Sequence, residues 1–253
     1  VSLEEFGYYT LAASVAGALF FLVSPIATAV SPRFSELVAR SDHQGLIRAY
    51  HLASQWLAAL LVPAALMMAG FAEPLLFVLT GSSDLARQGG PLLALLALGT
   101  LCNGFMHVPY MAQLAYGWTG FAVRVNIVAV GILIPVILWA VPRFGAVGAA
   151  WAWLALNTGY VLIGIHFMHR RLLRDEKWQW YQKAVFSPLL FGVISVLILR
   201  YCIDMPQGRI PMTAVLVGNS MLVLAVVLFT VPASRTLLHV TLKTLKRKYL
   251  NSK

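Results

Sequence analysis

A chain of 253 residues that is 60% hydrophobic and only 11% charged lies well above the roughly 45–50% apolar content of a soluble domain, and its mean hydropathy of +0.79 fits a bilayer as its solvent. The net charge of +10 does not mark a nucleic-acid partner, because Lys and Arg fall between apolar runs and not along one soluble face. Cys102 and Cys202 both lie in or at the end of apolar runs, which implies neither a disulfide framework nor a metal cluster.

A hydrocarbon core about 30 Å thick takes roughly 20 apolar residues per helical crossing. In lipid the backbone polar groups have to be satisfied within each segment. The expected fold is therefore all-α, a polytopic transmembrane helical bundle of seven spans: 8–30, 52–71, 91–114, 121–141, 147–168, 184–203 and 212–231. The first span follows acidic Glu4 and Glu5 and not the basic region of a signal peptide, and the chain starts at Val1, so a longer protein is expected. After the first span, Pro32 to Tyr50 carries Leu37, Leu46 and Ile47 among charges and reads as a short interfacial helix. After the second, Ala72 to Thr80 reads as an amphipathic continuation ended by Gly81-Ser82-Ser83. Trp56, Trp118, Trp139, Trp178 and Trp180 fall near span ends, as an aromatic belt would.

Basic residues decide the orientation. Arg33, Arg40, Arg48, Arg124, Arg170, Arg171, Arg174, Lys177 and Lys183 fall in alternate connections, and the tail adds Arg235, Lys243, Lys246, Arg247, Lys248 and Lys253. Only Arg87, Arg143, Arg200 and Arg209 fall on the other side. The positive-inside rule then places Val1 outside and Lys253 in the cytoplasm.

Enzyme signatures are missing: there is no Gly-rich phosphate loop, nucleophile elbow, metal-spaced His/Cys group or acidic pair inside a span, so catalysis is not expected. The third span is the informative one. Its polar residues Asn103, His107, Tyr110 and Gln113 are offset by four, three and three, which is one face of a helix. Polar groups within a span face a wet cavity or bond to a neighbouring helix, and both readings stand here: a substrate path, or interhelical glue with a neutral, satisfied histidine. In the fourth span Arg124 either snorkels to the headgroups or offers its guanidinium fork to an anionic headgroup, with Asn126 beside it. Asn157, Tyr160 and Asn219 read as packing contacts. Pro25, Pro63, Pro109 and Pro135 interrupt four spans, and bent helices suit bundles that rock about a central site. Gly145, Gly148, Ala149, Ala150 and Ala152 read as small residues for close helix approach.

Several stretches together resemble the polysaccharide-exporting branch of the multidrug, oligosaccharidyl-lipid and polysaccharide exporter superfamily, which includes O-antigen flippases. They are Phe6-Gly-Tyr-Tyr-Thr-Leu-Ala, Ser31-Pro-Arg-Phe-Ser35 with Gly45, Phe71-Ala-Glu-Pro74 with Gly81, Asn103 to Tyr110, Gln113 to Trp118, and Pro142 to Ala149. Each is unspecific alone; their order and spacing carry the match. The resemblance implies that residues 1–173 are helices of the C-terminal lobe of a two-lobed exporter, 174–241 two additional transmembrane helices, and 242–253 a basic cytoplasmic tail. It implies an inner-membrane protein that flips undecaprenyl-pyrophosphate-linked oligosaccharide by alternating access, with that lipid-linked substrate, membrane lipids and other polysaccharide assembly proteins as partners. No cofactor is implied, and coupling to an H⁺ or Na⁺ gradient is left open. The competing readings are a drug/cation antiporter of the same superfamily, which would favour intramembrane carboxylates, a membrane-embedded polymerase or acyltransferase, and a structural subunit.

Overall fold

The computed structural model describes residues 2–234, and every element in them is helical. The expected tail, with Arg235 and Lys243 to Lys253, lies outside the described residues. Helix α1 (Leu3–Gly17) begins at Ser2, whose hydroxyl accepts from Glu5 N at 3.1 Å, and α2 (Phe20–Ala39) continues the same crossing after a break at residues 18–19. Helix α3 (His43–Gly70) starts at Asp42, whose carboxylate accepts from Gly45 N at 2.7 Å. A side-chain acceptor there satisfies one of the free N–H groups of the first turn. The interfacial helix expected between residues 32 and 50 does not form. Leu37 and Leu46 are buried in the common core, so the two crossings extend toward each other and leave only Arg40–Asp42 between them.

Helix α4 (Ala72–Thr80) ends ahead of Gly81 as the sequence suggests. The third crossing is α5 (Ser83–Phe105) followed by α6 (His107–Ala115), broken at Met106. Helix α7 (Thr119–Gly159) holds 41 residues, which unbroken would reach about 60 Å, twice a bilayer core. It does not run straight. Gly145 adopts φ 60°, ψ −149°, and the Tyr160 hydroxyl donates to Asn126 Oδ1 at 2.9 Å, so the arms 119–144 and 146–159 lie antiparallel. The reversal at Gly145 separates the expected fourth and fifth spans. Among the described residues six continuous helices are long and apolar enough to cross a membrane, and with this hairpin they supply seven crossings.

The second arm passes through a π-helical turn, Tyr160–Gly164, into α8 (Ile165–Arg171). Helix α9 (Lys177–Trp180), a π-helical stretch (Tyr181–Phe186) and α10 (Ser187–Cys202) form the sixth crossing, and α11 (Arg209–Thr230) the seventh. Helix α3 is the centre: Ala58, Ala59, Leu61, Val62 and Ala65 are fully enclosed by α2, α5, α10 and α11. Lipid tails are as apolar as Leu, so these helices gain from tight packing more than from leaving the solvent. At Gly99 the backbone of α5 lies so close to α7 that an added Cβ would collide with the Trp153 indole. The hairpin is the least enclosed crossing; Ile127 and Leu138 are exposed on it, as a lipid-facing surface requires.

Side-chain contacts sort the connections into two ends. At one end His43 Nδ1 lies 3.3 Å from the Tyr116 hydroxyl, Arg171 covers the Trp118 ring at 4.6 Å, and His51 Nε2 pairs with Glu176 at 2.6 Å. At the other, Tyr8 reaches Asp84, Glu5 accepts from Ala146 N, Arg200 donates to Gly70 O, and Arg209 donates to Val78 O. The first end gathers the connections rich in Lys and Arg. The second holds Arg87, Arg143, Arg200 and Arg209; of these Arg143, Arg200 and Arg209 donate to backbone carbonyls.

Two readings of single residue types need correction. Pro25, Pro63 and Pro135 lie inside continuous helices, and the break in the first crossing precedes Pro25 by several residues, so among the four prolines only Pro109 adjoins a break. Trp180 is buried at 1% exposure, edge-on to Phe105 and Tyr181, and belongs to the core, not the belt. Trp178, at 70% exposure, is placed as a belt residue would be.

Candidate functional site

The break at Met106 has a local cause. Pro109 has no N–H and its ring crowds the carbonyl one turn back, so the i→i−4 ladder fails ahead of it. Asn103 O, freed from its helical partner, accepts from Met106 N at 3.0 Å and from His107 Nδ1 at 3.2 Å. A carbonyl only accepts, so Nδ1 carries the proton in this contact, and the neutral imidazole leaves Nε2 as an acceptor. The ring of Phe20 packs against His107 with centroids 5.9 Å apart.

Around this break lies a cavity of about 240 Å³, walled by α5, α6, the first arm of the hairpin and the π-helical turn. Five of the six residues singled out in the sequence line it: Asn103, His107, Tyr110, Gln113 and Asn126. Gln113 is buried and Tyr110 stands exposed at the edge. The sixth, Arg124, lies outside this cavity. Its Nε donates to Gly120 O at 3.1 Å, and it borders an adjoining apolar cleft of about 560 Å³ between the hairpin arms. Phe121, Val125, Tyr160 and Gly164 are common to both walls.

The glue reading and the cavity reading are both represented in these contacts. Asn103 Nδ2 donates to Asn157 Oδ1 at 2.7 Å, and fully buried Asn157 donates in turn to Trp153 O at 2.8 Å. Asn103 thus ties α5 to the second hairpin arm and still borders the cavity, whereas His107 Nε2 has no partner among the described residues. Tyr160, set aside as a packing residue in the sequence, reaches into the same cavity and bonds Asn126. Its spacing from Asn157 was the available signal: three residues apart on one helix, they meet the polar residues of two different crossings. The π turn that begins at Tyr160 adds a residue locally, a device frequent at functional sites.

Asn157→Leu is expected to lower stability by about 1–3 kcal/mol, because it removes the partner of the Asn103 amide at the contact between α5 and the second hairpin arm. Thermal unfolding of the purified protein in detergent checks this; an unchanged midpoint would show that the amide pair contributes nothing.

A larger cavity, about 730 Å³, lies at the other end of α5 and is bordered by Glu73, Arg87 and Arg200. It holds none of the singled-out polar residues, and Arg200 is already engaged with Gly70 O. The small polar cavity is preferred as the site because several neutral hydrogen-bonding groups from separate crossings converge on it.

A multi-pass helical bundle with a polar pocket at a helix break is the architecture of a membrane transporter. The MatE family model matches residues 2–139, more than half of the chain, and the chain belongs to this family, whose members are transporters within the superfamily named above. The match runs from α1 into the first hairpin arm and ends before Gly145, so it includes every singled-out site residue but not Asn157 or Tyr160. No curated protein and no solved structure matches the chain.

Proposed function

We propose that the chain contributes one wall of a pathway that flips a pyrophosphate-linked oligosaccharide lipid between leaflets of the inner membrane. The observation that carries this reading is the chemistry of the polar cavity: amide, imidazole and phenol groups with no carboxylate in the wall, and a guanidinium beside it on Arg124. Neutral donors and acceptors suit the hydroxyls of a glycan, and a guanidinium fork suits phosphate oxygens. A cation carrier of the same family would be served by an acidic group in the wall. The apolar cleft continuing from the cavity gives the hydrocarbon chain a surface to follow while the polar head leaves water, which would otherwise be very costly. Residues 1–173 then serve as the exporter's C-terminal lobe, with 174–241 as added crossings and 242–253 as a basic tail. Alternating access and other polysaccharide assembly proteins as partners belong to the same proposal.

Expression of the natural gene product in cells that lack their lipid-linked oligosaccharide flippase tests this. Restored surface polysaccharide is the expected result. Restored resistance to cationic drugs in an efflux-deficient strain, without restored polysaccharide, would favour the antiporter reading.

The orientation is part of the same proposal: the end bearing Arg40, Arg170 and Arg174 faces the cytoplasm. With Cys102 and exposed Cys202 replaced by Ser, a membrane-impermeant thiol reagent is expected to label Gln207→Cys in intact spheroplasts and Gln44→Cys only after permeabilisation, both side chains being exposed. The opposite pattern would invert the topology.

A further inference from the structure

At the end of the bundle bearing the 172–176 connection lies a separate concavity of about 640 Å³, beyond the residues the family model matches. Its wall carries Arg170, Arg174 and Lys177, with a single carboxylate, Asp175, among them. The sequence Arg174-Asp175-Glu176-Lys177 suggests local charge pairing, yet the fold prevents it. Glu176 turns inward to His51 Nε2 at 2.6 Å, beneath the concavity. Among the described residues none of the three cations has a carboxylate within ion-pair distance. The withdrawal of Glu176 therefore leaves a concave cationic surface.

The floor is built, not incidental. His169, buried at 1% exposure, is held at both nitrogens: Nδ1 donates to Ile165 O at 3.0 Å, and Nε2 accepts from the enclosed Tyr50 hydroxyl at 3.1 Å. On the wall, Lys177 Nζ donates to His166 Nδ1 at 2.9 Å, which fixes the tautomer and directs the second ring N–H away from that bond. Two guanidinium groups, an ammonium and an imidazole N–H thus border one recess. Trp178, highly exposed beside it with Lys177 over its ring at 4.8 Å, supplies the amphipathic ring that settles at headgroup level. Basic recesses between crossing helices suit anionic headgroups.

We propose that this recess binds a phosphate group, and that the phosphate belongs to the headgroup of an anionic membrane lipid. The inference is independent of what the transporter carries. It is tested on the natural gene product in phosphatidylcholine nanodiscs titrated with phosphatidylglycerol, with retained lipids counted by native mass spectrometry. Each basic residue near an anionic surface contributes about 1 kcal/mol, so Arg170→Gln/Arg174→Gln is expected to weaken retention of one phosphatidylglycerol about thirtyfold. The charge-matched control Lys243→Gln/Lys246→Gln should leave that lipid in place. The single variant Arg174→Glu, at an exposed position, should reproduce the loss if the double variant is poorly folded. Inorganic phosphate at millimolar concentration is the second arm: failure to displace the lipid supports a headgroup held with its chains, and full displacement would overturn the lipid as the source. Equal retention by the double variant and the wild type, or equal loss in the tail control, would overturn the site.

Discussion

Gly145→Ala is expected to cost about 3 kcal/mol or more of stability and to lower the amount of folded protein in the membrane severalfold. The backbone at this position, φ 60° and ψ −149°, lies in a region open essentially to glycine, and a side chain there carries a strain of about 1–3 kcal/mol. An added Cβ would also collide with the Glu5 carboxylate, which accepts from Ala146 N at 3.3 Å. Losing that contact adds on the order of 1 kcal/mol. The consequence is larger than a local strain, because the reversal is what turns one 41-residue helix into two antiparallel crossings and brings Tyr160 to Asn126. The measurement is thermal unfolding of the purified protein together with its abundance in the membrane fraction. Glu5→Gln separates the two causes: it keeps an acceptor for Ala146 N and should cost much less. If Gly145→Ala unfolds at the same temperature as wild type, the reversal is not held by this residue.

This hairpin also shows what the sequence could disclose. The two apolar runs on either side of Pro142 to Ala149 were long enough to count as separate spans, and the run of small residues pointed to close approach, which Gly148 against Ala140 realises. Nothing in residue order indicated that Glu5, some 140 positions away, would clip the turn, since a contact at that separation is set by packing and not by pattern. The same limit governs the site. Helical spacing put Asn103, His107, Tyr110 and Gln113 on one face, because that arithmetic needs only a single helix. Tyr160 and Asn157 were passed over as single packing residues despite their helical spacing, because their partners became evident only when two more crossings were laid against α5. Arg124 in the fourth span was read as either snorkelling to the headgroups or offering its guanidinium to an anionic headgroup. The fold sends it to the apolar cleft instead, as α7 starts after a turn at Gly117 and presents residues 121 and 125 to the cavity while 124 points along the cleft. Trp180 failed for the converse reason: a belt residue and a core residue look alike in sequence near a span end, and here the ring is buried against Phe105 and Tyr181.

His107→Leu is expected to abolish most of the transport activity while leaving the fold nearly intact. The two nitrogens of this ring have separate duties. Nδ1 is spent on Asn103 O at the helix break, a carbonyl already satisfied by Met106 N, so losing the ring leaves no orphaned backbone group. Nε2 has no protein partner among the described residues, and the ring borders the polar cavity, where it is free to meet a hydroxyl. Leucine keeps an apolar side chain beside Phe20 and removes the Nε2 contact together with the Nδ1 bond to Asn103 O. An unmatched ligand polar group in a buried site costs about 1–3 kcal/mol, a five- to hundredfold loss of transport per folded molecule. His107→Gln, which can still present a polar group to the cavity, should retain part of the activity. Leu138→Ala on the exposed face of the hairpin serves as a control and should transport normally. The quantity to compare is the appearance of the lipid-linked unit on the outer leaflet per molecule of folded protein. A wild-type rate in His107→Leu would remove this histidine from the pathway, and a loss of abundance in step with activity would return it to the packing role that the sequence left open.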